Sequence, residues 1–125
     1  MVCLLAALVG LVAMPAREFL PFPAVVAVLW PTLLHLLVVG WLTQLIFGVA
    51  HWLFPRRTRE APRGDERLMW LAWVALNAGL VLRLVGEPLA LMGQGAGGIL
   101  VASGVLQWVA AVAFIVNLWP RVKAR

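Results

Sequence analysis

Four apolar runs occupy almost all of a 125-residue chain and leave no stretch from which a separate soluble domain could be built. A helix that crosses a bilayer needs about 20 consecutive apolar residues. The chain therefore reads as one all-α domain, an integral membrane four-helix bundle with helices at about 2–16, 24–54, 68–85 and 99–119. Composition points the same way: 64% of residues are hydrophobic and 12% charged, whereas soluble domains carry roughly 25% charge. A lone Cys3 inside the first run excludes an intramolecular disulfide and a cysteine-rich metal site.

The first run, Met1 to Ala16, is short for a span. No basic segment precedes its apolar residues, so it reads as a short first helix rather than a secretory signal. Arg17 and Glu18, followed by Pro21 and Pro23, make a turn, since two prolines so close disfavour helix. The second helix is the longest. From Pro31 to Phe54 it covers roughly 36 Å, enough to cross with some tilt. Pro55 and a run of arginines stop it. Trp70 and Trp73 stand where the third helix enters the headgroup layer, a depth that tryptophan favours, and Pro120 ends the fourth.

A sequence pI near 11.5 would point to nucleic acid in a soluble protein. In a membrane chain the same charge reports orientation, because basic residues collect on the cytoplasmic side. Arg56, Arg57, Arg59, Arg63 and Arg67 crowd one loop, and Arg121, Lys123 and Arg125 form the tail. Both segments are expected in the cytoplasm together with both termini, in a bacterial inner membrane, with no nucleic-acid partner. The segment Gly86 to Gly98 is then an outside loop. Its formal GxGxxG at Gly93, Gly95 and Gly98 lacks the strand and βαβ unit that a dinucleotide site requires.

His35 is the ionisable group set within the apolar stretch Thr32 to Thr43. Such a residue inside a membrane is a functional candidate. It falls in the outer half of the second helix. His51 lies sixteen residues on, roughly 24 Å along the axis and about 160° around it, so the two cannot share a metal within one chain. On a regular helix His35 shares a stripe with Val39, Leu42, Ile46 and Val49. Gly40, Gln44, Gly48 and His51 form a second face with the spacing of a close-packing seam. Arg83 sits near the outer end of the third helix, with Glu87 four residues on as an ion-pair partner. It either snorkels to the headgroups or binds an anionic group at the depth of His35. Asn77 and Gln107 are placed to hydrogen-bond across helices.

The residues Leu34-His-Leu-Leu-Val-Val-Gly-Trp-Leu-Thr-Gln-Leu-Ile-Phe-Gly-Val-Ala-His-Trp-Leu-Phe-Pro-Arg56 resemble the second helix of subunit I of the heme-copper oxidase superfamily, especially the cbb-type oxidases and nitric oxide reductases. The stretch from Gly104 to Arg121 looks, less specifically, like another helix ending from that group. The resemblance implies that His35 is an axial ligand of a low-spin heme b and that Arg83 holds heme propionates. It also implies that the chain corresponds to one four-helix arc of a subunit built from three. Against the family pattern, the chain has two histidines and no tyrosine. A copper or oxygen-reducing centre needs more histidines, so no copper and no turnover as an enzyme are expected.

One suitable histidine per chain makes six-coordinate heme depend on a second subunit, which points to a homo-oligomer, by analogy with three arcs a trimer. An open sixth position would instead bind a small gas. The expected role is electron transfer or gas binding, cytochrome b-like. A different class of reading is a heme-free structural or assembly subunit of a larger respiratory complex. A small-molecule carrier has little support, since the apolar runs hold few polar groups and no internal repeat.

Overall fold

In the computed structural model the described residues are 1–16, 30–54 and 64–123, and they are helical apart from short turns. Helix α1 spans Val2–Ala16. Helix α2 runs Trp30–Leu53, α3 Glu66–Leu91 and α4 Gly97–Lys123, and these three are long and apolar enough to cross a membrane. The expected turn through Pro21 and Pro23, the stretch from Ala24 to Leu29, and the arginines 56, 57, 59, 63 and 125 lie outside the described residues.

The most extensive interface joins α3 and α4. Its centre is built from small residues: Ala72, Ala75 and Leu76 of α3 are buried with Ala110, Ala113 and Phe114 of α4. At Gly79 the two backbones approach closely. A Cβ there would meet Ser103 O and Gln107 Cγ at 3.0 Å, and buried Ser103 uses the closeness to donate to Gly79 O at 2.7 Å. Lipid tails are as apolar as leucine, so close packing and such polar bonds, rather than hydrophobic burial, hold membrane helices together.

Helix α2 changes character along its length. Trp30–His35 is α-helical, Leu36–Thr43 widens into a π-helix with bonds from residue i+5 to residue i, and Gln44–Leu53 is α-helical again. Such widenings are rare and are frequent at functional sites. Within the wide segment Gly40 receives α1, for a Cβ there would stand 2.9 Å from Cys3 Cβ. The lower half is held across the bundle by side chains: Phe47 stacks on Phe114 with centroids 3.9 Å apart, and Gln44 donates to Asn77 Oδ1 at 3.0 Å.

Two helix ends differ from the sequence reading. The third helix does not stop at Val85; it runs from Glu66 through Gly86, Glu87 and Pro88 to Leu91. The loop expected over Gly86–Gly98 shrinks to a tight turn in which Gly93 and Gly95 take φ of +74° and +65°. Proline lacks only one bond in a helix, and near a helix end that loss is tolerable. Helix α4 likewise passes through Pro120 to Lys123, which turns Arg121 from a tail charge into a structural residue. It is 2% exposed, and its guanidinium donates to His51 O at 3.0 Å and Phe54 O at 2.6 Å, carbonyls at the C-terminal end of α2. A cation there satisfies orphan carbonyls and complements the helix dipole.

Exchange of Arg121 for methionine keeps the stem and removes both bonds. Both bonds come from one amino group and add only in part, so at about 1.5–3 kcal/mol for a hydrogen bond to a charged group the expected loss is roughly 2–4 kcal/mol. The midpoint of SDS-induced unfolding, followed by far-ultraviolet circular dichroism, should drop accordingly, with Arg121→Lys falling between.

At the same end Asn117 reads the start of α3 as a paired strand would: its Oδ1 accepts from Asp65 N at 2.9 Å and its Nδ2 donates to Asp65 O at 3.2 Å. Asp65 in turn caps α3 by accepting from Arg67 N at 2.8 Å. Gly64, with φ of +82°, is required here, because a Cβ would overlap Asn117 Oδ1.

Candidate functional site

At the other end of α2, three side chains converge on one carboxylate. Glu87 is 6% exposed. Its Oε1 accepts from Arg83 Nε at 2.6 Å, its Oε2 accepts from the hydroxyl of buried Thr32, and His35 Nδ1 lies 3.8 Å from Oε1. The spacing of Arg83 and Glu87 on consecutive turns brings them together on α3, and Thr32, three residues before His35, carries the contact to α2. A buried carboxylate is costly unless paired and hydrogen-bonded; this one has a cation and a hydroxyl.

The third helix thus corrects one expectation outright. Glu87, expected in an outside loop beyond the third helix, lies within α3, and Glu66 opens that helix. The ion pair between Arg83 and Glu87 does form, so Arg83 is not a lone snorkelling cation. Its Nε is committed to Glu87, and its two terminal amino groups bond to nothing among the described residues.

His35 is the last residue before the helix widens. Its Nδ1 sits 2.8 Å from Pro31 O. A carbonyl oxygen only accepts, so Nδ1 carries a proton, and in the neutral ring Nε2 keeps the lone pair. This is the tautomer in which an imidazole acts as a ligand through Nε2 while its second nitrogen is oriented by a backbone carbonyl. With a side chain 30% exposed, the ring edges a shallow recess of ≈ 220 Å³ lined also by Leu34, Val38 and Val39. Ligand pockets hold about 300–1,000 Å³. A large planar group would therefore find one wall here and need another.

The stripe expected below His35 is split by the widened turn. Val39 packs onto Ala75, Leu76 and Ala110, whereas Leu42, Ile46 and Val49 are 42%, 54% and 50% exposed. The wider turn rotates the chain less per residue, so faces drawn at a constant 100° lose phase across Leu36–Thr43. The second face fares unevenly: Gly40 is buried against Cys3 and Leu80, but nothing comes within 4 Å of a Cβ on Gly48. Asn77 bonds across to Gln44 as expected, whereas Gln107 donates to Ser103 Oγ of its own helix at 3.3 Å.

His51 belongs to the opposite end of α2, beside Glu66 and Trp70. Among the described residues no three His, Cys, Asp or Glu side chains gather to hold a metal ion. Among the described residues His35 is thus a single imidazole beside an ion pair. Compared with known protein families, with curated proteins and with solved structures, the chain finds no match.

Proposed function

We propose that the chain is a b-type heme protein of the membrane in which His35 supplies one axial nitrogen, with electron transfer or gas binding as its role. The observation that carries this is the orientation of His35: Nδ1 is tied to Pro31 O, so in the neutral ring it is Nε2 that has the lone pair an iron ligand needs. The terminal amino groups of Arg83, held by Glu87 at the same end of the bundle, are the groups that would take an anionic propionate. Heme, when bound, supplies the one-electron or gas-binding chemistry. The chain itself sets the ligand's tautomer and offers charge. It also offers the apolar wall of Leu34, Val38 and Val39.

The size of that recess favours a site completed by a second copy, and the resemblance to a three-arc subunit favours a trimer. On this reading α1 is a fourth, short membrane helix, both termini face the cytoplasm, and the protein sits in a bacterial inner membrane. A second reading, a heme-free structural or assembly subunit of a respiratory complex, is favoured by one observation: the Glu87 carboxylate is already satisfied within the chain by Arg83 and Thr32.

Visible spectra of the protein purified in mild detergent, oxidised and dithionite-reduced, separate the two. A Soret band that shifts on reduction is expected after expression with ample heme. A colourless preparation under those conditions leaves the structural reading.

A further inference from the structure

Near the His51 end of the bundle, two recesses join into one groove between α2 and α3. One, of ≈ 300 Å³, is lined by His51, Glu66, Met69, Trp70 and Trp73. The other, of ≈ 220 Å³, shares Met69 and Trp73 with it and continues past Phe47 and Gly48. The groove lies beside the Phe47–Phe114 stack and the Gln44–Asn77 bond that tie the lower half of α2 to the bundle, and Gly48 puts no side chain into it.

Its chemistry changes along its length. Glu66 is the outermost residue and is exposed. One turn deeper come Trp70 and Trp73, edge to face at 5.6 Å, and beyond them the wall is apolar. From Glu66 to Leu76 the helix rises roughly 15 Å, the span over which a lipid passes from headgroup to acyl chain. A carboxylate beside indole faces takes an ammonium cation. Arg67, exposed on the same turn, offers the opposite charge for a phosphate. A purely anionic headgroup would meet the Glu66 carboxylate instead.

We propose that this groove seats one zwitterionic aminophospholipid, its ammonium group against Glu66 and Trp70 and one acyl chain laid along Gly48 towards Leu76. The site is separate from the His35 cluster and does not depend on heme.

Native mass spectrometry of the full chain in detergent, titrated with dioleoylphosphatidylethanolamine and separately with dioleoylphosphatidylglycerol, tests it. One ethanolamine lipid per chain is expected to persist, with the glycerol lipid binding more weakly. Glu66→Gln removes the carboxylate at an exposed position and Gly48→Leu fills the groove where no neighbour is met; each should weaken the ethanolamine lipid about tenfold, the equivalent of one lost polar contact. Matched circular dichroism checks that both variants fold, and Glu66→Gln decides alone if Gly48→Leu does not. Equal retention of the two lipids, or Glu66→Gln binding like the parent, overturns the proposal.

Discussion

His35→Ala should abolish the heme absorbance while leaving the helical content of the protein intact. The fold loses little: the ring is partly exposed and its one close hydrogen bond goes to Pro31 O, a net contribution of about 0.5–1.5 kcal/mol. A heme bound as proposed, by contrast, would lose its one ligand from this chain. Imidazole added to the variant should restore part of the Soret band by occupying the space vacated in the recess. His51→Ala, at the far end of α2, should keep the full band. Heme retained by His35→Ala and lost by His51→Ala would reverse the ligand assignment.

Removal of the Glu87 carboxylate is expected to have the largest effect on stability. Glu87→Leu strands the Arg83 guanidinium and the Thr32 hydroxyl, both of which point at a site 6% exposed. Breaking one side of a buried pair costs about 3–5 kcal/mol, because the remaining charge is left uncompensated. Glu87→Gln keeps the shape and one acceptor oxygen and should cost less. The double variant Arg83→Met, Glu87→Leu should recover most of the loss, since replacing a whole buried pair by apolar residues is often neutral. SDS-unfolding midpoints for the parent, Glu87→Leu, Arg83→Met and the double variant form a thermodynamic cycle. A double variant as unstable as Glu87→Leu alone would show that Glu87 acts through Thr32 and not through Arg83.

What could be read without coordinates was the part governed by length and periodicity. Three spans followed from apolar run length, and the Arg83–Glu87 pair from a four-residue spacing. That same spacing held a further signal: a pair on consecutive turns requires helix through Glu87, which overrides Gly86 and Pro88 as loop markers. Arg121 offered no comparable clue. Its partners are the backbone carbonyls of His51 and Phe54, about 70 residues away in sequence, and only the packing of α4 against the end of α2 brings them together. The pairing of Asn117 with Asp65 was hidden for the same reason. The split of the stripe below His35 was invisible because period counting assumes one rotation per residue throughout a helix, and α2 does not keep it.

The widened segment Leu36–Thr43 works as a phase shifter built into a single rod. It lets the azimuth of Thr32 and His35 be set independently of that of Gln44, Phe47 and the carbonyls clamped by Arg121. Deleting one residue within it would let the helix tighten to an α-helical pitch and swing the histidine end relative to the anchored lower half. The composition of the spans would hardly change, yet Thr32 would be carried away from Glu87. In this chain the aim of the imidazole is a matter of helical winding, adjustable by one residue without rebuilding the bundle beneath it.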